Sequence, residues 1–207
     1  MTSPTRTTAA ALLAAIAVTC TATACTNESN EPAPPTTSTE QPPLSGVGSA
    51  GRSPGQQATE GAIAAVEGMH KARATIENDP RADINGVSQY LIDPYLGLLK
   101  ADMELRRSQG ITAEGAITVV RTSADEVEAP SDEKGNPVRG EAEVLLRTCE
   151  DISQKKYTGA EGEDLNRTDL PDQVQAVYRV VNKDWPSAEG WRVMENTLTE
   201  QEPCDAY

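Results

Sequence analysis

Residues 142–153 read Ala-Glu-Val-Leu-Leu-Arg-Thr-Cys-Glu-Asp-Ile-Ser, and this stretch decides the fold. It is the strongest strand signal in the chain, since apolar residues run through it without a glycine or proline. It carries Cys149, and the other cysteine expected in the mature domain is Cys204, close to the C-terminus. A bond between these cysteines would link a central strand to the last one.

The first 24 residues have the features of a signal peptide. Arg6 precedes an apolar run at residues 9–18, which is too short to span a bilayer. Ala22-Thr23-Ala24-Cys25 resembles a bacterial lipobox, although leucine is usual where Ala22 stands; in a lipobox the cysteine is diacylated and becomes the first mature residue. We expect a lipoprotein signal peptide at 1–24 and lipid (palmitate) attachment at Cys25. The alternative is plain secretion.

A linker is expected at residues 25–57. Residues 26–57 contain six prolines, many serines and threonines, and almost no large apolar side chain. Such a segment buries too little surface to offset its chain entropy, which predicts disorder. As a flexible coil it would reach about 30 Å. The folded domain would then stand off the extracytoplasmic face of the cell membrane.

The folded part, residues 58–207, is strongly acidic. The chain carries a formal net charge of −14, of which residues 1–57, with two arginines and three glutamates, contribute −1. A domain this acidic should repel nucleic acid and anionic headgroups, which bind clustered lysine and arginine. The charge is explained by solubility alone, or by a cationic ligand.

The first half of this domain has helical periodicity. A helix is predicted from the N-cap Thr59 to Asn78-Asp79-Pro80, a second one is capped by Asp83, and a third begins at Pro94 and ends at Gly110. The apolar positions assigned to these helices are Ile63, Val66, Met69, Ile76, Val87, Leu91, Tyr95, Leu98, Leu99, Met103 and Leu105.

The second half alternates in the period of β-strands. Strands are predicted at residues 117–127, at the opening stretch, at residues 174–181 and from Trp191 onward, with polar turns at 130–140 and 186–190. Residues 155–171 are predicted to be a long charged loop. Helices first and an antiparallel meander afterwards define an α+β fold, with N-terminal helices packed on a curved four-stranded sheet.

The cysteine count predicts one disulfide. Cys20 leaves with the signal peptide and Cys25 is lipidated, which leaves Cys149 and Cys204 in an oxidising compartment. The bond would stabilise the fold by about 4 kcal/mol in the chain-entropy model. Two unpaired thiols are the alternative. We expect the last strand to lie near the middle of the sheet, so that the bond fixes the width of a pocket.

The order of these features resembles the nuclear transport factor two and ketosteroid isomerase-like (SnoaL-like) superfamily, whose domains have a cone fold. The likeness is greatest to its small actinobacterial envelope lipoproteins. Its motifs here are Cys149-Glu150-Asp151, Thr158-Gly159, Gly190-Trp191-Arg192-Val193 and Cys204. The resemblance implies a cone-fold domain at 58–207 and an envelope location. It carries over no catalytic residue, since the tyrosines and Asp93 do not align with the isomerase motif.

Five residues are candidates for a pocket in such a fold: His70, Tyr90, Tyr95, Tyr178 and Trp191. His70 is the only histidine and lies near the apolar face of the first helix; a packed histidine is the plainer interpretation. No cysteine or carboxylate group has the spacing of a zinc site. Glu161, Glu163 and Asp164 form either a calcium loop or a solvated one. No cofactor or metal is expected.

The sequence therefore predicts a membrane-anchored lipoprotein with a non-catalytic domain. Its partner would be a small apolar ligand or another envelope protein, and the membrane would be reached through the lipid. Two alternatives stay open: an enzyme that uses the cone pocket, and an accessory domain of an envelope complex. A deep pocket with two or more buried polar groups favours a ligand binder or an enzyme. An exposed apolar patch over a filled cone favours the interaction module.

Overall fold

A computed structural model describes residues 51–167, 171–199 and 204 of the chain. The predicted signal peptide, Cys25 and the linker up to residue 50 lie outside the described residues. In this part of the chain, no helix is long and apolar enough to cross a membrane. The elements are α1 (Pro54–Asn78), a 3-10 helix (Ile84–Gln89), α2 (Tyr95–Ser108), β1 (Thr112–Glu114), β2 (Thr118–Glu128), β3 (Gly140–Asp151), β4 (Lys156–Thr158), β5 (Gln173–Trp185), a short 3-10 turn (Ala188–Gly190) and β6 (Trp191–Thr199).

The main sheet confirms the α+β prediction. Its four strands pair antiparallel in the order β2-β3-β5-β6, and the helices pack against one face. The predicted loop at 155–171 is corrected in part, because β4 lies within it. β4 pairs antiparallel with β1, with Ala113 opposite Tyr157. A half-buried tyrosine between two exposed residues gives this short segment the alternation of a strand.

Helix α1 begins five residues earlier than Thr59. Ser53 and Gln56 form a capping box: the Ser53 hydroxyl accepts from the Gln56 N–H at 3.2 Å, and the Gln56 carboxamide oxygen accepts from the Ser53 N–H at 2.9 Å. Pro54 occupies the first turn, where its missing N–H is no cost. The predicted boundary of the disordered linker at residue 57 is therefore wrong, since residues 54–57 are helical.

The core lies between α1 and the inner face of the sheet. Small residues on α1 let the helix approach the sheet closely, and aliphatic residues of β3, β5 and β6 meet them. The buried residues of this layer include Ala58, Ala62, Ala65, Val66, Met69, Ile76, Ala142, Val144, Leu146, Ala176, Val180 and Val193.

Helix α2 buries a narrower face than its sequence suggests. Leu99 and Met103 are buried, as expected, but Leu98 and Leu105 are 68% and 55% exposed. Successive helical residues are rotated by about 100°, so Leu98 points away from the face that Leu99 and Met103 share. Leu105 is seven residues from Leu98 and lies on the same outer face.

Cys149 and Cys204 form a disulfide, with their Cα atoms 5.5 Å apart. The pairing of these two cysteines is the one that the cysteine count predicts. The bond does not lie where we expected it, however. Cys149 alternates with Thr148 and Glu150, so it lies on the face of β3 opposite the helices. Arg121 of β2 donates to the Cys204 carbonyl oxygen at 2.8 Å. β6 pairs with β5 and is not next to β3, so the bond does not set the width of an inner pocket.

Candidate functional site

A cavity of about 610 Å³ opens on the helix side of the sheet, beside β4. Its size falls within the range of small-molecule sites. Aliphatic side chains, tyrosines and basic residues share its wall. The wall includes the aliphatic residues Ile111, Ile117, Ile152, Leu165 and Val174, the tyrosines Tyr95, Tyr157 and Tyr178, and the charged residues Glu150, Arg73, Arg106, Lys155 and Lys156.

Glu150 is the buried carboxylate of this cavity. It continues the inward row of β3 after Leu146 and Thr148, and it is only 2% exposed. Its Oε1 accepts from the Tyr178 hydroxyl at 2.6 Å and from the Thr148 hydroxyl at 2.9 Å. His70 Nε2 lies 3.1 Å from the same oxygen. Three side chains from α1, β3 and β5 thus converge on one carboxylate oxygen.

The hydrogen bonds determine which nitrogen of His70 carries the proton. The Tyr178 hydrogen is directed at Glu150, so the Tyr178 oxygen, 3.2 Å from His70 Nε2, is free only to accept. Both neighbours of Nε2 are acceptors, so Nε2 bears the hydrogen. His70 Nδ1 is buried and has no hydrogen-bond partner among the described residues. The ring also meets Tyr178 edge to face, with centroids 5.9 Å apart.

The environment keeps Glu150 ionised and Tyr178 protonated. Burial raises the pKa of Glu150, but the hydrogen bonds from His70, Tyr178 and Thr148 outweigh it, so that the pKa is lowered. Burial and the neighbouring Glu150 charge raise the pKa of Tyr178 well above its usual value. A carboxylate of low pKa with three donors on one oxygen is a weak general base. The cluster is suited to fixing polar atoms in place.

A second buried cluster joins the end of α1 to the start of β4. The Glu77 carboxylate accepts from Arg73 Nε at 2.9 Å and from Lys155 Nζ at 2.7 Å. Burial raises the pKa of Glu77, but these two cations outweigh it, so the pKa is lowered. The Arg106 guanidinium stacks on the Tyr157 ring, 4.3 Å from its centroid. These contacts hold β4 beside the cavity.

The structure brings three of the five pocket candidates together. Tyr95 and Tyr178 line the cavity, and His70 lies behind Tyr178, bound to it and to Glu150. Tyr90 and Trp191 do not line this cavity.

Tyr90 and Trp191 both pack on α1 where a glycine leaves room. A Cβ at Gly68 would overlap the Tyr90 ring, and a Cβ at Gly61 would overlap the Trp191 indole. Trp191 also meets Trp185 edge to face, with centroids 6.0 Å apart.

The Cys149-Glu150-Asp151 motif does not by itself mark Glu150 as a site residue. Glu150 lies two residues after Thr148, in the row of alternate strand positions that also holds Val144 and Leu146. This position predicts an inward side chain. The basic cluster has no such signal in the sequence, since Arg73 and Lys155 are 82 residues apart and are brought together by Glu77 and Tyr157.

The acidic loop that contains Glu161, Glu163 and Asp164 forms a turn with its own internal hydrogen bonds. The Glu163 carboxylate accepts from the backbone N–H of Glu161 at 3.0 Å, and the Gly159 N–H donates to the Glu163 carbonyl at 2.9 Å. Within the described ranges, no group of three or more histidine, cysteine, aspartate or glutamate side chains is arranged to hold a metal ion.

Comparison with known proteins leaves the family open. No family model matches the chain, and no curated protein matches it. Among solved structures, the intermembrane space region of the chloroplast protein ARC6 is similar at 19% identity with a TM-score of 0.45. The match covers 67% of this chain and 94% of that chain. Values this low support no argument about fold family or function.

Proposed function

We propose that this chain is a lipid-anchored extracytoplasmic protein whose cone-fold domain, of the nuclear transport factor two-like type, binds a small and largely apolar ligand without transforming it. The cavity carries the proposal. Its aliphatic and tyrosine wall surrounds two buried polar groups, Glu150 and Tyr178. A concave apolar site with a few fixed polar groups is the usual form of a ligand pocket.

The polar cluster supports binding over catalysis. A general base needs an available lone pair and a pKa near the working pH. The pKa of Glu150 is lowered, and its Oε1 already receives bonds from Tyr178 and Thr148. Tyr178 is held protonated and donates to Glu150, so its hydroxyl hydrogen is not free for a substrate.

Binding of a neutral apolar probe tests the ligand-binding proposal. The full chain carrying Cys25→Ser suits the test, because on our proposal it lacks acyl chains that would compete for the cavity. N-phenyl-1-naphthylamine should show saturable fluorescence with one site per chain. Ile152→Trp should weaken binding at least about tenfold by filling the cavity, since Ile152 lies on its wall.

Val120→Trp is the matched control. Val120 lies on β2, is 53% exposed and is outside the cavity wall, so the same new side chain should leave probe binding unchanged. Absence of saturable binding would refute the proposal. Equal loss in both variants would do so too, because the probe would then report a general effect of the added indole.

The anchor is a separate part of the proposal and has its own test. Two acyl chains on Cys25 would hold the protein on a membrane, where one chain gives only marginal binding. Cys25→Ser should move the protein from the detergent phase to the aqueous phase in a phase-partition assay. A variant that partitions like the wild type would show that the anchor lies elsewhere.

A further inference from the structure

The charges around the cavity differ from those of the chain as a whole. The chain has 18 lysines and arginines against 32 aspartates and glutamates. The cavity wall reverses this ratio, with five basic residues against two acidic ones, Glu150 and Asp172. The basic residues come from α1, α2, β4 and the segments that flank β4: Arg73, Arg106, Lys155, Lys156 and Arg167.

Local ion pairs do not cancel the positive charge of Arg73, Lys155, Lys156 and Arg106. Arg73 and Lys155 share one carboxylate, that of Glu77, which leaves one positive charge in excess in this trio. Lys156 is exposed and makes no ion pair with any described residue. Arg106 is paired with Asp102, which does not line the cavity and is 40% exposed. Solvent weakens such an exposed pair.

The basic groups gather around Tyr157 rather than around the buried carboxylate. Arg106 lies over the Tyr157 ring at 4.3 Å, and Lys155 Nζ lies 5.2 Å from the same centroid. Glu150, in contrast, is enclosed by His70, Tyr178 and Thr148. The cavity therefore has one cationic end, at Tyr157, and an aliphatic wall that includes Ile111, Ile152 and Leu165.

We propose that the ligand of this cavity is an anionic amphiphile, with a carboxylate or phosphate head at the Tyr157 end and an apolar body against the aliphatic wall. This inference rests on the proposed ligand-binding function and names its ligand class. An anion there is attracted by the excess positive charge, while an apolar body displaces water from the isoleucines. A free fatty acid and an anionic membrane phospholipid share this chemistry.

Competition against N-phenyl-1-naphthylamine tests the ligand class, again with the Cys25→Ser chain. Three competitors share one tail and differ in the head: dodecanoate, dodecanol and dodecylamine. Dodecanoate should displace the probe at about tenfold lower concentration than dodecanol, and dodecylamine should be the weakest. The advantage of dodecanoate should shrink as salt rises from about 0.01 M to about 1 M, because salt screens charges that are near solvent.

Lys156→Glu tests the cationic end without disturbing the core, because the side chain is exposed. It should weaken dodecanoate about tenfold, the order expected when one nearby unit charge is reversed, and leave dodecanol unchanged. Lys134→Glu is the matched control. Lys134 is also exposed, carries the same charge change, and lies in the turn between β2 and β3, outside the cavity wall.

The outcomes separate this inference from the proposed function. If the probe binds but dodecanoate, dodecanol and dodecylamine compete equally, the anionic class is wrong and ligand binding stands. If Lys134→Glu weakens dodecanoate as much as Lys156→Glu does, the cationic end is also wrong. If the probe itself does not bind, the proposed function fails first.

A second set of competitors tests whether the ligand is a membrane lipid or a free fatty acid. Vesicles of phosphatidylglycerol, with phosphatidylcholine vesicles as control, should displace the probe if the cavity takes membrane lipid. Displacement by dodecanoate but by neither vesicle supports a free fatty acid. Displacement by both vesicles equally would overturn the requirement for a net negative head.

Discussion

Replacing Glu77 with glutamine perturbs the contact that joins α1 to β4. The Glu77 carboxylate binds Arg73 Nε at 2.9 Å and Lys155 Nζ at 2.7 Å, and the Glu77 and Lys155 side chains are both 5% exposed. The Tyr157 hydroxyl lies 3.5 Å from both carboxylate oxygens. Glutamine has nearly the same shape, so the change removes the charge and leaves the packing.

The expected cost is large because Arg73 and Lys155 lose the buried carboxylate that both of them bind. Removing one partner of a buried ion pair costs about 3–5 kcal/mol. The glutamine oxygen still accepts one hydrogen bond, which favours the lower half of this range. For a domain of about 150 residues, each kcal/mol lowers the unfolding midpoint by about 2–4 °C. We therefore expect the midpoint to fall by roughly 10 °C.

Urea unfolding of the wild-type and Glu77→Gln chains, followed by circular dichroism, measures the difference. Glu143→Gln is the matched control: Glu143 binds Arg179 Nε at 2.6 Å, but the two side chains are 30% and 40% exposed. Exposed pairs of this kind contribute about 1 kcal/mol or less. A loss below 1 kcal/mol for Glu77→Gln, or equal losses for both variants, would refute the argument from burial.

The pH dependence of the free energy of unfolding provides a second test of the role of the Glu77 carboxylate. The pKa of Glu77 is lowered in the folded state, so its contribution to stability is present above the unfolded value of about 4.3 and is lost as pH falls through the folded value. The free-energy gap between wild type and Glu77→Gln should be constant from about pH 6 to 8 and shrink below about pH 4. A gap that widens in acid would contradict the direction of the shift.

Three further changes have defined outcomes. The double variant Cys149→Ala/Cys204→Ala should lose about 4 kcal/mol in urea unfolding, since the bond spans 55 residues; a loss below 1 kcal/mol would contradict it. Ser53→Ala should lower stability by about 1 kcal/mol by removing the α1 cap, and no change in the thermal midpoint would show that the cap is dispensable. Tyr178→Phe should cost about 1–3 kcal/mol, because Glu150 loses a buried donor, and an unchanged midpoint would mean that another group replaces it.

The sheet was the part of the fold most readily predicted from sequence. Strand alternation is a local property, so β2, β3, β5 and β6 were all found within a few residues of their bounds. The start of α1 was missed because proline and glycine in the linker suggested disorder. The reciprocal hydrogen bonds of Ser53 and Gln56 stabilise the first turn of α1 in spite of that composition. Their Ser-x-x-Gln spacing is the sequence signal for a helix start at this point.

The cavity depended on contacts that alternation and helical spacing do not encode. Tyr90 and Trp191 are aromatic like Tyr95 and Tyr178, but they pack against glycines of α1 and not in the cavity. The position of the disulfide likewise depends on strand order, which is set by pairing between segments far apart in the chain. The inward position of Glu150, in contrast, can be predicted from the sequence, because Glu150 lies two residues beyond Thr148 in the inward row of β3.

Amide chemical shifts during a titration with dodecanoate test the central claim most directly. The ¹⁵N-labelled Cys25→Ser chain should show saturable shifts at the end of β3, in β4 and at the start of β5, where the cavity wall lies. The outer face of α2, which carries Leu98 and Leu105, should not shift. Saturable shifts on that outer face with none around Tyr157 and Glu150, or no saturable shifts at all, would contradict ligand binding in this cavity.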